Sequence, residues 1–326
     1  MDRGRRPEAG FSMVELVVAM AVTLIVSGAI FGLMSAGQNA FRREPELMDR
    51  QQNIRVAMKL IETDVATAGM GMPSFLRVFT PGLNGQGPTG PSGAKSDFLE
   101  VYGNDGLCPD LLIIGTGESM TSASIFTRSS VPTCFQLPGM LLFTDATSWA
   151  IRWGCEHKDS GTKGHMTIPT GSNPIYNSPG GLGFVAKTTS AIQMVRYEIR
   201  IDTENVPNLW RSPTGGQVPP NDGQCKAAGV TPSDGYLLLA RGIEDLQVRY
   251  RTNAGWADAP KAVIATPDDI VREVRVTLSS RVLAANLAGQ STSAIGSAIR
   301  GQLTSTVSPR AALQALTAAS PAPQWQ

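Results

Sequence analysis

The chain has 326 residues, room for two or three domains, and its 42% hydrophobic residues suffice for a sizeable buried core, which excludes wholesale disorder. Its 28 Lys and Arg against 27 Asp and Glu leave a net charge of +1, too little general attraction for a polyanion, so a dedicated nucleic-acid binder is excluded. Charged residues at 17%, with 34 Gly and 22 Pro, point to strands joined by many turns and away from a mostly helical enzyme.

The first ten residues, MDRGRRPEAG, are polar and carry Arg3, Arg5 and Arg6, and residues 16–36 contain no charge at all. As a helix those uncharged residues would reach about 32 Å, the thickness of a bilayer's hydrocarbon core. The arginines ahead of them keep the N-terminus cytoplasmic and send the chain after residue 40 across the membrane. A cleaved secretion signal ending near Ala36 or Ala40, a plain single-span anchor and a buried core helix are the competing readings. None of them has a use for Glu15, which opens the apolar run where a lone carboxylate costs up to ~3 kcal/mol.

The string Gly10-Phe11-Ser12-Met13-Val14-Glu15-Leu16 resembles the prepilin cleavage and methylation site of type IV pilins and type II secretion pseudopilins. The resemblance implies a leader of residues 1–10, cut by prepilin peptidase between Gly10 and Phe11, N-methylation of Phe11, and a functional acid at Glu15. An amine on Phe11 of a neighbouring subunit, set against Glu15 at 4 Å and an effective dielectric of 20, would gain ~4 kcal/mol, which offsets the insertion cost.

A helix is expected over residues 11–70, spanning the membrane at about 16–36 and amphipathic at about 42–68. Leu47, Ile54, Met58, Ile61, Val65 and Ala68 form its apolar stripe, interrupted at Gln51, and Arg50, Arg55, Lys59, Glu62 and Asp64 are read as its solvated face. Gly69, Gly71 and Pro73 stop it, Pro45 is expected to kink it, and Gly28 and Gly32 offer either a close-packing face or local flexibility.

Beyond it, residues 71–283 read as a β-rich head. A three-glycine match at Gly85, Gly87 and Gly90 lacks the flanking strand and helix of a dinucleotide site, and is read as a flexible loop. Strands are expected over 98–102, 111–114, 140–143, 149–153, 192–201, 237–240, 243–251 and 270–278, several alternating with period two as half-buried antiparallel strands do. The expected fold class is α+β: a long N-terminal helix packed on an antiparallel β-sheet head. Residues 284–326 are poor in charge and read as a largely mobile tail with a last strand over 302–308. Residues 64–69, and 242–250 with 271–278, resemble the helix end and closing strand pair of PilW-like minor pilins, although Ala66 stands where those proteins commonly carry Arg.

Cys108, Cys134, Cys155 and Cys225 allow three pairings and form no C-x-x-C motif. An exported head favours two structural disulfides, Cys108–Cys134 and Cys155–Cys225 being the preferred connectivity. His157 and His165 lie in what reads as a loop, and no metalloprotease, nucleophile-elbow or P-loop motif is present, so no enzyme is expected. No cofactor is expected either. Structural calcium at Asp105, Asp110 or the pair Asp268 and Asp269 is left open without a supporting motif.

The resemblance therefore implies a filament subunit. The resemblance implies an inner-membrane, single-pass precursor with a periplasmic head, joining other major and minor pilins at an inner-membrane assembly platform and ending in a pilus or pseudopilus. A secretion pseudopilin and an anchored or secreted binding protein are the alternatives.

Overall fold

The computed structural model describes residues 12–70, 72, 76–104, 108–114, 118–119, 124–135, 137–145, 148–160, 163–169, 176–177, 182–217, 235–262, 264, 266–283 and 299–310. The chain divides into two compact units, Met1–Asp49 with Val282–Ile299 and Arg50–Arg281 with Arg300–Gln326.

The helix α1 covers Met13–Thr67 without interruption. Pro45 lies inside it, where the ring removes one backbone donor. Gly69 ends the helix at φ 76°, a left-handed conformation that glycine adopts at no steric cost, and its N–H turns to the Tyr102 carbonyl at 2.7 Å.

Seventeen strands come after it among the described residues. They are β1 (Leu99–Gly103), β2 (Leu111–Leu112), β3 (Glu118–Ser119), β4 (Ser124–Thr127), β5 (Gly139–Thr144), β6 (Trp149–Gly154), β7 (Glu156–Ser160), β8 (Lys163–Thr167) and β9 (Tyr176–Asn177). Then come β10 (Val185–Ala186), β11 (Thr188–Ile201), β12 (Pro207–Ser212), β13 (Leu237–Arg241), β14 (Ile243–Thr252), β15 (Gly255–Ala257), β16 (Glu273–Arg281) and β17 (Arg300–Val307). One sheet runs β13-β12-β11-β5-β6-β9, with β1 and β2 also on β11, and a second runs β15-β14-β16-β17. The order β4-β8-β7 makes a third sheet, and β10 pairs with β3.

The period-two expectation holds where one face is wet. In β16 the residues Val274, Val276 and Leu278 are buried and their neighbours half-exposed. It fails to apply in β5, which is covered on both sides: Leu141 and Phe143 enter one core cluster, Met140 and Leu142 another. That explains a continuous apolar run in place of alternation.

From Arg50 onward α1 packs into the head. Ile54, Met58, Ile61, Val65 and Ala68 are all buried, with Ala57 completing the face. They meet Leu99, Val195 and Tyr197 of the large sheet and Leu246, Val248, Val274 and Val276 of the four-stranded one. A single helix stripe thus supplies core to two sheets. Leu47 is half-buried, and Gln51 is exposed, as its polarity demands.

Several expectations are corrected. Glu156–Ser160 and Lys163–Thr167 pair as the antiparallel strands β7 and β8, in which Lys158 pairs with His165 and His157 with Met166. The hairpin is polar on one side, which hides it from a hydropathy reading, while Met166 is fully buried. The segment expected to begin a strand at Ile270 first turns through a 3-10 helix, Pro267–Asp269, where Thr266 and Asp269 form a reciprocal cap. The last strand, expected over 302–308, is β17 at Arg300–Val307, and Arg300 donates to both carboxylate oxygens of Glu244 at 2.7 and 3.2 Å. The glycine-rich segment is pinned as well. The Gly85 N–H donates to Asp97, Ser96 Oγ donates to Asp245, and Gly90 lies so close to the Asp245 side chain that a Cβ would collide.

Candidate functional site

Residues 13–35 of α1 form an apolar stretch of 23 residues whose most apolar 18 have a mean hydropathy of 2.5, with none of those 18 buried. Leu24, Phe31 and Leu33 are each about three-quarters exposed. At 1.5 Å per residue this is about 34 Å of helix, long enough to cross a bilayer. Among the described residues, an added Cβ at Gly28, Gly32 or Gly37 would meet nothing within 4 Å. Such a surface is stable only in lipid or against other subunits.

The first turn is built as a capping box. Ser12 stands at the N-cap: its carbonyl accepts the Leu16 N–H at 3.2 Å, its Oγ accepts the Val14 N–H at 3.3 Å, and its own N–H donates to Glu15 Oε2 at 3.0 Å. Two donors that a helix start leaves orphaned are thereby satisfied, and the carboxylate sits at the positive end of the helix dipole. The pattern Ser-x-x-Glu before an apolar run carries this signal in the sequence, but the resemblance to a prepilin site assigns the same acid to a neighbouring subunit and leaves the cap unremarked. Gly10 and Phe11 lie outside the described residues.

The helix's other end carries a second polar constellation. Asp64, expected on the solvated face, instead turns to the sheet, where it accepts hydrogen bonds from the Tyr197 hydroxyl and from Arg211 Nε, the latter at 3.0 Å. Burial, then the Asp64 charge and hydrogen bond, pushes the Tyr197 hydroxyl well above the usual tyrosine range. Burial likewise raises Tyr250, and burial with the hydrogen bond to Glu198 raises Tyr236. The neutral phenols are favoured in the folded state. Their contribution is complete below a pH of about 10 and is lost as pH climbs beyond it, because the unfolded chain then releases protons that the folded chain keeps. Tyrosinate absorbance during an alkaline titration should therefore show these three phenols ionising only together with loss of folded circular dichroism.

Cys108 and Cys134 are joined in a disulfide closing a separation of 26 residues, with Cα atoms 5.5 Å apart. A loop of that length stabilises by ~3 kcal/mol on the chain-entropy account. Cys155 is also disulfide-bonded, no described cysteine is free, and Cys225 lies outside the described residues.

Of the acids considered for calcium, Asp105 lies outside the described residues and Asp110 accepts a hydrogen bond from Ser190. Asp268 accepts from Asn253 at 2.9 Å, and Asp269 caps Thr266. Among the described residues no three His, Cys, Asp or Glu side chains converge as a metal site would require. The His165 ring stacks on Phe126 with centroids 4.7 Å apart, as a cross-strand pair.

The prokaryotic N-terminal methylation motif matches residues 5–31, the segment that holds the Ser12–Glu15 cap and most of the exposed apolar helix. A solved type IV-like pilin, TTHA1219 from Thermus thermophilus, aligns over 80% of this chain and 96% of its own at 12% identity, with a TM-score of 0.31. No curated protein matches the sequence. The motif match marks a prepilin-type N-terminus, and behind it the chain continues as an apolar helix and antiparallel sheets, an α+β fold. The motif implies processing by prepilin peptidase, and the apolar helix is consistent with a membrane-anchored pilin.

Proposed function

We propose that the chain is a minor type IV pilin, a non-enzymatic subunit present in few copies that acts in pilus initiation or at the tip, in adhesion, twitching motility or DNA uptake. In this reading prepilin peptidase cuts between Gly10 and Phe11, and Phe11 is methylated. The head is periplasmic while the helix waits in the inner membrane. Assembly joins it to other major and minor pilins through the platform, with Glu15 facing a neighbour's N-terminal amine. It requires no cofactor or metal.

The observation that carries the minor role is the size of the folded unit Arg50–Arg281 with Arg300–Gln326. A head that large, repeated at every step of a tightly packed helical rod, would crowd its neighbours. The antiparallel pairing of β14 with β16 supports the resemblance to PilW-like minor pilins at the closing strand pair.

Quantitative mass spectrometry of sheared filaments tests the reading. This chain should appear at a small fraction of the major subunit, and deleting its gene should reduce surface pili. Finding it as the most abundant subunit would overturn the minor role. Retained exoproteins with unchanged piliation would instead assign it to a secretion pseudopilus.

A further inference from the structure

Two pairs of arginines stand opposite each other across the strands of the four-stranded sheet. Arg281 on β16 faces Arg300 on β17, and Arg249 on β14 faces Arg275 on β16. Like charges directly opposite in a sheet destabilise it, so each pair calls for a compensating acid. The first pair has one. The buried Glu244 accepts Arg300 Nε at 2.7 Å on one carboxylate oxygen, and its other oxygen lies 3.6 Å from Arg281 Nη1.

The second pair has no such bridge. Asp258 reaches Arg249 Nε at 2.9 Å, but its side chain is 77% exposed, and a pair so open to water contributes little. Among the described residues no acid pairs with Arg275 and no acceptor takes its N–H groups. Its guanidinium lies instead over the Trp256 ring, with Cζ 4.3 Å from the centroid, which holds the group in place while leaving its donors unused. Glu273, two residues before it in the strand, is committed to Arg251, whose Nη1 donates to both carboxylate oxygens at 3.1 and 3.2 Å.

All of these side chains lie on one face. Arg249, Arg251, Glu273 and Arg275 alternate along their strands with Val248, Tyr250, Val274 and Val276, which are buried in the core, so the charged set points away from it. Trp256 stands opposite Arg251 in the ladder and shares that outward side.

We propose that this outward sheet face docks an acidic protein partner, one of whose Asp or Glu carboxylates bridges Arg249 and Arg275 as Glu244 bridges Arg281 and Arg300 on the same sheet. Charge complementarity selects the occupant: two opposed guanidinium groups share no acid of their own, and a carboxylate is the acceptor that already resolves the equivalent pair. A stacked nucleic-acid strand is poorly served, because Arg275 already lies over the one ring on this face that a base would use. The open sheet face also gives a free small carboxylate few further contacts. The proposal does not depend on filament assembly, so either can fail without the other.

The test uses the full chain in phosphatidylcholine nanodiscs, titrated calorimetrically with octaglutamate, beside octalysine and an oligothymidylate of the same length. Octaglutamate should bind saturably with millimolar or tighter affinity at about 50 mM salt and weaken severalfold at about 500 mM. Arg249→Gln, at a half-exposed position, should weaken it about tenfold, and Arg275→Gln by a similar factor. Arg275→Lys, which keeps the charge but loses the fork, should recover only part of the affinity. Arg241→Gln removes an equally exposed arginine that pairs with Glu204 elsewhere in the head, and should leave binding unchanged. Should Arg275→Gln misfold by circular dichroism, Arg249→Gln decides alone. No saturable binding of octaglutamate, affinity unchanged by Arg249→Gln, an equal loss in Arg241→Gln, or binding of the oligothymidylate or octalysine as tight as that of octaglutamate would each overturn the proposal.

Discussion

Glu15→Ala should insert into the membrane at least as well as the parent chain, yet enter filaments roughly tenfold less often or worse. Removing an intramembrane carboxylate relieves an insertion cost of up to ~3 kcal/mol, so targeting has nothing to lose. Assembly loses the charge pair with a neighbouring amine, worth ~4 kcal/mol at 4 Å and a dielectric of 20, and a change of 1.4 kcal/mol already corresponds to tenfold. The capping box adds a competing explanation, because Ser12 N–H also loses its acceptor in this variant. That loss amounts to only ~1 kcal/mol. Glu15→Gln separates the two, since a glutamine can still accept from the Ser12 N–H but carries no charge. The account expects Glu15→Gln to fail in assembly nearly as badly as Glu15→Ala, measured by co-purification with the other subunits. Wild-type recruitment of the glutamine variant would reduce Glu15 to a helix cap.

Gly10→Glu should leave the precursor at its full 326 residues, with processing falling below detection. The protease must fit the residue before the cut at the membrane surface, and a charged side chain there adds both bulk and desolvation cost. Gly10→Ala, one methyl larger, should still be processed. Because unprocessed subunits keep the basic leader next to Phe11, the glutamate variant should also be absent from filaments. Immunoblots of membrane fractions resolve the two sizes, and efficient cleavage of Gly10→Glu would remove the prepilin reading.

The parts of the fold legible in the sequence are those governed by short-range periodicity. The stripe from Ile54 to Ala68 and the alternation in β14 and β16 each repeat a burial pattern that the sequence displays directly. The Cys108–Cys134 bridge is the pairing preferred from the sequence, although spacing alone left three connectivities open. The illegible parts depend on distant partners. Asp64 sits on the flank of the stripe and looks like any solvated acid, because Tyr197 and Arg211 reach it only once the sheet has formed. The hairpin β7–β8 and the strand β12 are short, polar or proline-headed, and they hold their places by pairing with neighbours rather than by an apolar run. The Ser12–Glu15 cap is the opposite case: it is local and readable, and it is masked only by the assembly role that the resemblance implies for the same acid.

The central claim is that a prepilin is processed at Gly10 and assembles through the helix behind it. Mass spectrometry of the N-terminal peptide from the mature, membrane-extracted chain tests this most directly. The account predicts a terminus at Phe11 carrying one additional methyl group on its amine. A terminus near Ala36 or Ala40 would show a conventional secretion signal, and a chain beginning at Met1 would show an unprocessed anchor; either result contradicts the account.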